Sequence, residues 1–369
     1  MSRHVLFSPF FGLCTLFAAT ACTVDNPAFE PPAAVCAGGE TYVRQAFQLA
    51  DPNRVDILFV VDNGPGMADA QQRLGASMPI LVNALNAEAT LDWQLAVTTT
   101  DVTGLAGELV YGGTGINGCP ALDSAIITRT TPDAAFAAEC AVQVGDEGSD
   151  FEQGFQAARF ALSERAFGRP EARRIVVFFS NEDDCSATAS FNQGSPDNCR
   201  SQQNLLFSVD EFRRYFATLQ SRSGDALTFV SIVAGTGDAT DAIQCGDQDS
   251  AFAGNRYSQL SAGFGRLGQT LSICSQSFDD AITSLAQDVA LAPDDQLCLT
   301  STLSREPTDV VLRPTENGEI ASELSPFGQY LNLGATSGCP TGAVSISRTA
   351  HNSSTGQRLE VWFCTSDAI

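Results

Sequence analysis

Residues 55–67 read VDILFVVDNGPGM, and the fold is decided there. Val55, Ile57, Leu58, Phe59, Val60 and Val61 make a β-branched and aromatic run of strand length, the composition of a strand covered on both faces. The run ends in Asp62 and a glycine turn, Gly64-Pro65-Gly66. A helix is expected over 67–88, because Leu74, Met78, Leu81, Val82 and Leu85 recur at spacings of three and four and line one face. In an open α/β sheet ligands bind outside the carboxyl ends of the strands, so Asp62 is expected to stand over a shallow recess there.

Further units follow. WQLAVTTT at 93–100 reads as a second strand with Asp101 at its carboxyl end. VGDEGSDFEQGFQAARFAL at 144–162 reads as a loop and helix, and RRIVVFFSNEDDC at 173–185 as a central strand and an acidic loop. LTFVSIVAG at 227–235 is a fifth strand, 270–274 a short sixth, and 278–291 a closing helix. The expected class is α/β, a doubly wound and mostly parallel sheet flanked by helices.

This succession resembles a von Willebrand factor A domain, over roughly residues 50–292. The first strand of that family ends in the metal-site pattern Asp-x-Ser-x-Ser. The five positions here read Asp62, Asn63, Gly64, Pro65 and Gly66, so the aspartate matches and both serines are missing. The resemblance places the family's threonine at Ser149 and its later aspartate at Asn181, with Asp183 close behind. It thus implies a degenerate adhesion site in which Asp62, Ser149, Asn181 and Asp183 would hold Mg2+ or Mn2+. Magnesium takes about six oxygens in near-octahedral geometry, and glycine supplies none from its side chain, so metal dependence is expected to be weak or absent.

Residues 1–21 carry a basic start at Arg3 and His4 and an apolar run too short to span a bilayer, the pattern of a secretory signal. Its end, Ala19-Thr20-Ala21-Cys22, resembles a bacterial lipobox, which makes Cys22 the expected lipid anchor and residues 22–49 a tether with a proline-rich start. The chain holds 12 cysteines; with Cys14 in the signal and Cys22 acylated, the rest are even in number and suit disulfides in an oxidising compartment. Cys119 with Cys140, Cys185 with Cys199 and Cys245 with Cys274 are the expected local pairs, while Cys36, Cys298, Cys339 and Cys364 allow three connectivities. No C-x-x-C pair occurs, so neither a zinc ribbon nor a thioredoxin-type centre is indicated.

Formal net charge is −23 and every basic side chain other than histidine is arginine. Nucleic acid and anionic headgroups would be repelled, leaving a lipid chain as the route to a membrane. A Walker-type phosphate loop needs its lysine, and the chain has none. Of two histidines, His4 leaves with the signal and His351 lies in the polar segment AHNSSTG, so a histidine-based hydrolase finds no support. Catalysis by paired carboxylates would require two acids facing one cleft, which adjacent residues such as Glu182, Asp183 and Asp184 do not provide on sequence alone. Asp238, Asp241, Asp247 and Asp249 lie in a Gly-rich loop without the terminal glutamate of a calcium loop.

After Pro293 short alternating runs at 298–303, 310–313, 343–347 and 358–364, with Asn317-Gly318 as a hairpin turn, indicate a small disulfide-containing β module over 293–369. The functional expectation is a non-enzymatic adhesion protein of the cell envelope, engaging a protein or envelope ligand on the face formed by 62–67, 145–152 and 181–185. A metal-independent structural scaffold of the envelope is the alternative.

Overall fold

The computed structural model describes residue 36 and residues 40–365 except 49–50, 105, 112–118, 120–121, 164, 166, 170–171, 189–196, 224–226, 238–241, 246–248, 265–268, 292–294, 300–308, 315–321, 324–329, 335–342 and 347–356. The signal, Cys22 and the proline-rich start of the tether therefore lie outside the described residues, as do Asp238, Asp241, Asp247 and Asn317-Gly318.

In chain order the elements are β1 (Thr41–Gln48), β2 (Asp51–Val61), α1 (Ala68–Ala87), β3 (Asp92–Thr99), β4 (Ile127–Thr128), α2 (Ala134–Ala141), α3 (Gly154–Ser163) and β5 (Ala172–Phe179). There follow α4 (Asp197–Ser201), α5 (Val209–Ser223), β6 (Leu227–Val233), β7 (Ala242–Cys245), β8 (Asp249–Phe252), α6 (Asn255–Ala262), β9 (Gln269–Ser272) and α7 (Asp279–Leu291). The last strands are β10 (Asp295–Cys298), β11 (Asp309–Pro314), β12 (Ser322–Glu323), β13 (Tyr330–Gly334), β14 (Ala343–Ile346) and β15 (Gln357–Thr365).

The main sheet has the order β4-β3-β2-β5-β6-β9, parallel except for β4 at one edge. Alternation along β2 explains why a continuous apolar run is needed. Val55, Ile57, Phe59 and Val61 pack into a cluster with α1, α2 and α7, while Leu58 and Val60 join Phe155, Phe212, Phe216 and Tyr257 from α3, α5 and α6 on the other face. Each of these fully buried side chains contributes about 1.5–3 kcal/mol. The fold is thus α/β and doubly wound, with the strand and helix order expected of a von Willebrand factor A-like domain.

From β2 the chain passes to β3 on one side, then crosses to β5 on the other. The carboxyl ends of β2 and β5 consequently flank the point where the winding reverses, and a crevice in such a sheet opens there. Asp62 follows β2 and Ser180–Asp184 follow β5. Topology alone therefore places the candidate site.

The tether expectation needs a correction. Residues 41–48 form β1, paired antiparallel with β15 from Thr41↔Thr365 to Gln48↔Arg358, with Arg44 over the Trp362 ring at 5.1 Å in its cross-strand pair. Cys36 is bonded to Cys364, which fixes this segment to the last strand. The β module is therefore made from both ends of the chain, as sheets β1-β15-β11-β12 and β10-β14-β13, and β1 runs against α5. The three expected local disulfides are all present. Cys298 ends β10, and Cys339 lies outside the described residues.

Candidate functional site

Asp62 continues the ladder from β2, its N–H donating to the Phe179 carbonyl at 2.9 Å. Its side chain is fully buried, against the expectation of an open recess. Oδ1 accepts the Gly64 N–H at 2.7 Å and Oδ2 accepts the Ser180 hydroxyl at 2.6 Å. Gln71 on α1 donates to the Asp62 carbonyl and to the Gly145 carbonyl, each at 2.7 Å, and accepts the Gly145 N–H at 3.1 Å. One amide thus ties the 62–67 turn to the 145–152 loop.

Glu152 is the residue that sequence reading missed. It is 2 % exposed, faces Asp62 across the Gly64 position, and accepts the Thr100 hydroxyl at Oε2. Its backbone carbonyl takes the Cys185 N–H at 2.5 Å, joining the 145–152 and 181–185 loops. Burial holds the Asp62 carboxyl above the ordinary range despite its hydrogen bonds. Burial first, then the neighbouring Asp62 charge, pushes Glu152 well above it. The two carboxyls form a buried pair.

Of the other three expected ligands, Ser149 and Asn181 stay near Asp62 through their main chains while Asp183 does not. Ser149 turns its hydroxyl to the Phe151 N–H at 3.0 Å, closing a local turn. Asn181 lies beside Gly66, Met67 and Arg73, its carbonyl accepting the Phe252 N–H at 2.7 Å and its N–H donating to Asp62. Asp183 faces a different cleft, with Glu182, Arg200 and Arg256, and its Oδ1 accepts the Arg256 N–H at 2.9 Å. Its Oδ2 is buried without a hydrogen-bond partner among the described residues. Burial and the adjacent Asp184 raise Asp183 to about 7; Glu182 also reaches about 7 through burial, opposed by Arg200.

Asp184 anchors the loop. Its carboxylate accepts the Phe155 N–H at 2.9 Å at the start of α3, the Ser186 hydroxyl at 2.7 Å, and two nitrogens of Arg256 at 3.0 and 3.2 Å. Arg256 also donates to the Phe207 carbonyl at 2.7 Å and lies over the Phe155 ring. Cys185–Cys199 closes the outer side.

Gly64 shows how the 145–152 loop packs onto Asp62. A Cβ added there would meet Glu152 Oε1 at 2.7 Å, the Ser149 carbonyl oxygen at 3.0 Å and Asp62 Oδ1 at 3.1 Å. The space a hydroxyl-bearing side chain would use is filled by a carboxyl group from the neighbouring loop. The four sequence-predicted ligands are not gathered at one point in this arrangement, since Asp183 lines another cleft and the Ser149 hydroxyl faces the Phe151 N–H. Among the described residues, Cys36, Glu40 and Cys364 form the one close cluster of three His, Cys, Asp or Glu side chains, and two of them are a disulfide.

No family model and no curated protein matches the chain. Among solved structures it is similar to the pilus adhesin SpaC from Lactobacillus rhamnosus GG in its open conformation, at 9% identity and a TM-score of 0.37, over 88% of this chain and 40% of that one. It is similar to the human COPII-coat protein Sec24c at 10% identity and a TM-score of 0.41, over 87% and 46%. Manganese-loaded TRAP protein from Plasmodium vivax gives 10% identity and a TM-score of 0.31, over 68% and 78%. The chain spans less than half of the SpaC and Sec24c structures.

Proposed function

We propose that this chain is an exported, lipid-anchored binding protein of the cell envelope, which engages a protein ligand on the loop face beyond β2, β3 and β5 and performs no catalysis there. The observation that carries this reading is the rim of that face. Asp146, Glu147 and Asp150 stand exposed on a loop that Gln71 and Glu152 fix in place. A rigid acidic rim selects a partner presenting arginine or lysine, through faster encounter and suppression of acidic competitors. Asp62 and Glu152, at the centre of that face, are sealed from any substrate.

Four disulfides support an oxidising compartment, and no helix among the described residues is long and apolar enough to cross a membrane. In this reading Cys22, at the end of the lipobox-like Ala19-Thr20-Ala21-Cys22, carries the anchor. Replacing Cys22 with alanine is expected to move the protein from the membrane to the soluble fraction of producing cells and to abolish incorporation of a labelled fatty acid; unchanged labelling would rule the anchor out.

For the binding face, the mature chain is expected to capture an envelope protein in a pull-down that high salt weakens and a chelator leaves unchanged. Reversing Asp146, Glu147 and Asp150 together to arginine should slow association by about tenfold or more. The sealed Asp62 also favours the scaffold alternative, in which the domain is a packing unit only. Capture of nothing at low salt, or capture indifferent to the rim charges, would decide for that alternative.

A further inference from the structure

Cys36, Glu40 and Cys364 bring two sulfurs and a carboxylate together, their ligand atoms all within 4.8 Å of one another. The register of the terminal sheet explains the meeting. Cys364 on β15 pairs with Tyr42 on β1, so the two share a face, and Glu40, two residues before Tyr42, returns to that face diagonally from Cys364. Cys36 arrives from the segment ahead of β1, its Cα 5.6 Å from that of Cys364. Cys364 is fully buried, whereas Cys36 and Glu40 are half-buried, so an ion has a way in past them.

The two sulfurs are bonded to each other, and it is the thiolate that ligates metal. Reduction changes what the cluster can do. Two electrons and two protons, supplied with a thiol or phosphine as reductant, break the S–S bond and leave two thiols; a divalent ion then displaces both protons. Two thiolates and a carboxylate, with water in the fourth position, are a tetrahedral set for zinc or cobalt. Magnesium and calcium take six or more oxygens and find too few here.

We infer that Cys36, Glu40 and Cys364 are a redox-alternate closure of the chain's two ends, a covalent bond when oxidised and a zinc-class ion site when reduced. The metal-held form belongs to a chain that has not yet met an oxidant, the condition of thiols before they reach a disulfide-forming compartment. What it preserves is the pairing of β1 with β15. The loop face beyond β2 takes no part in this site.

The test takes the full chain, reduces it with a trialkylphosphine, which becomes the phosphine oxide with oxygen from water, and titrates it with Co2+. The reduced parent is expected to develop the sulfur-to-cobalt charge-transfer absorption of a thiolate site and the visible bands of tetrahedral cobalt, both bleached by Zn2+. The unreduced parent should show neither. Cys36→Ser should lose the site, and Glu40→Gln should weaken Co2+ binding by about tenfold or more. A silent reduced parent would overturn the inference, and so would a signal that either variant leaves unchanged, since other thiols would then hold the metal. Melting gives an independent reading: Zn2+ should raise the melting temperature of the reduced parent and not that of reduced Cys36→Ser. An equal rise in both, or none in the parent, overturns the inference as well.

Discussion

Replacing Arg256 with alanine is expected to lower stability by about 3–5 kcal/mol, seen as a fall in the urea midpoint with an unchanged slope. The side chain of Asp184 is fully buried, and Arg256 is its cationic partner, gripping it through two nitrogens. Removing the guanidinium leaves a carboxylate in a dry interior with N–H and O–H donors but no counter-charge, and most of the cost lies in that stranded charge. The same change also frees the Phe207 carbonyl and uncovers the Phe155 ring. Because Asp184 holds both the start of α3 and the 181–185 loop, partner capture by the loop face should fall with stability. Pairing Arg256→Met with Asp184→Asn should recover much of the loss, since removing both charges strands neither. Arg213→Ala is the control: its partner Asp210 is 68% exposed, and such a pair contributes about 0–1 kcal/mol. A loss for Arg256→Ala as small as that of the control would mean that the Asp184 carboxylate does not depend on its ion pair.

How much of this was legible in the sequence varies with the kind of signal. Long apolar runs were decisive. The 55–61 run is β2, the three-four spacing of Leu74 to Leu85 is α1, and the strands ending at Thr99, Phe179 and Val233 lie where their composition placed them. Closely spaced cysteines were also readable, because a short loop between core elements leaves few partners in reach. What pattern reading missed depends on distance along the chain. Pairing of β1 with β15 joins the two ends, and no local periodicity announces a partner more than 300 residues away. At the site, Asp62 was found and its setting was misjudged. Two missing serines read as an emptied metal shell; the structure shows that glycine at 64 admits Glu152. A signal was present in the FEQGF segment, where an acid sits between Phe151 and Phe155 at the entry to an apolar helix, a position in which a carboxyl must find an internal partner. Gln71 had a similar one, a polar residue on the buried side of α1.

Acidification from pH 8 to pH 5 should stabilise the protein, the reverse of what acid does to domains held by ionised carboxylates. Asp56, Asp62, Glu152, Glu182 and Asp183 all hold their protons more tightly folded than unfolded, with burial the leading cause in every case. The sign follows from linkage. Above the unfolded values of 4.5 for Glu182 and 3.8 for Asp183 the unfolded chain has released protons that the folded chain still keeps. Unfolding then releases protons, so stability falls as pH rises, fully present below those values and lost on passing about 7. Each of these two groups carries a swing on the order of 3 kcal/mol across that window. Self-repulsion in a chain of net charge −23 acts in the same direction, easing as carboxylates are neutralised. Urea midpoints measured at half-unit steps should therefore climb steadily from neutral pH toward about 5. Glu182→Gln and Asp183→Asn should each flatten the slope, with the larger effect at pH 8, where the native charges are most costly. Midpoints that stay level or drop on acidification would mean that these carboxyls are ionised and paired in the folded chain, by a bound cation or by arginine.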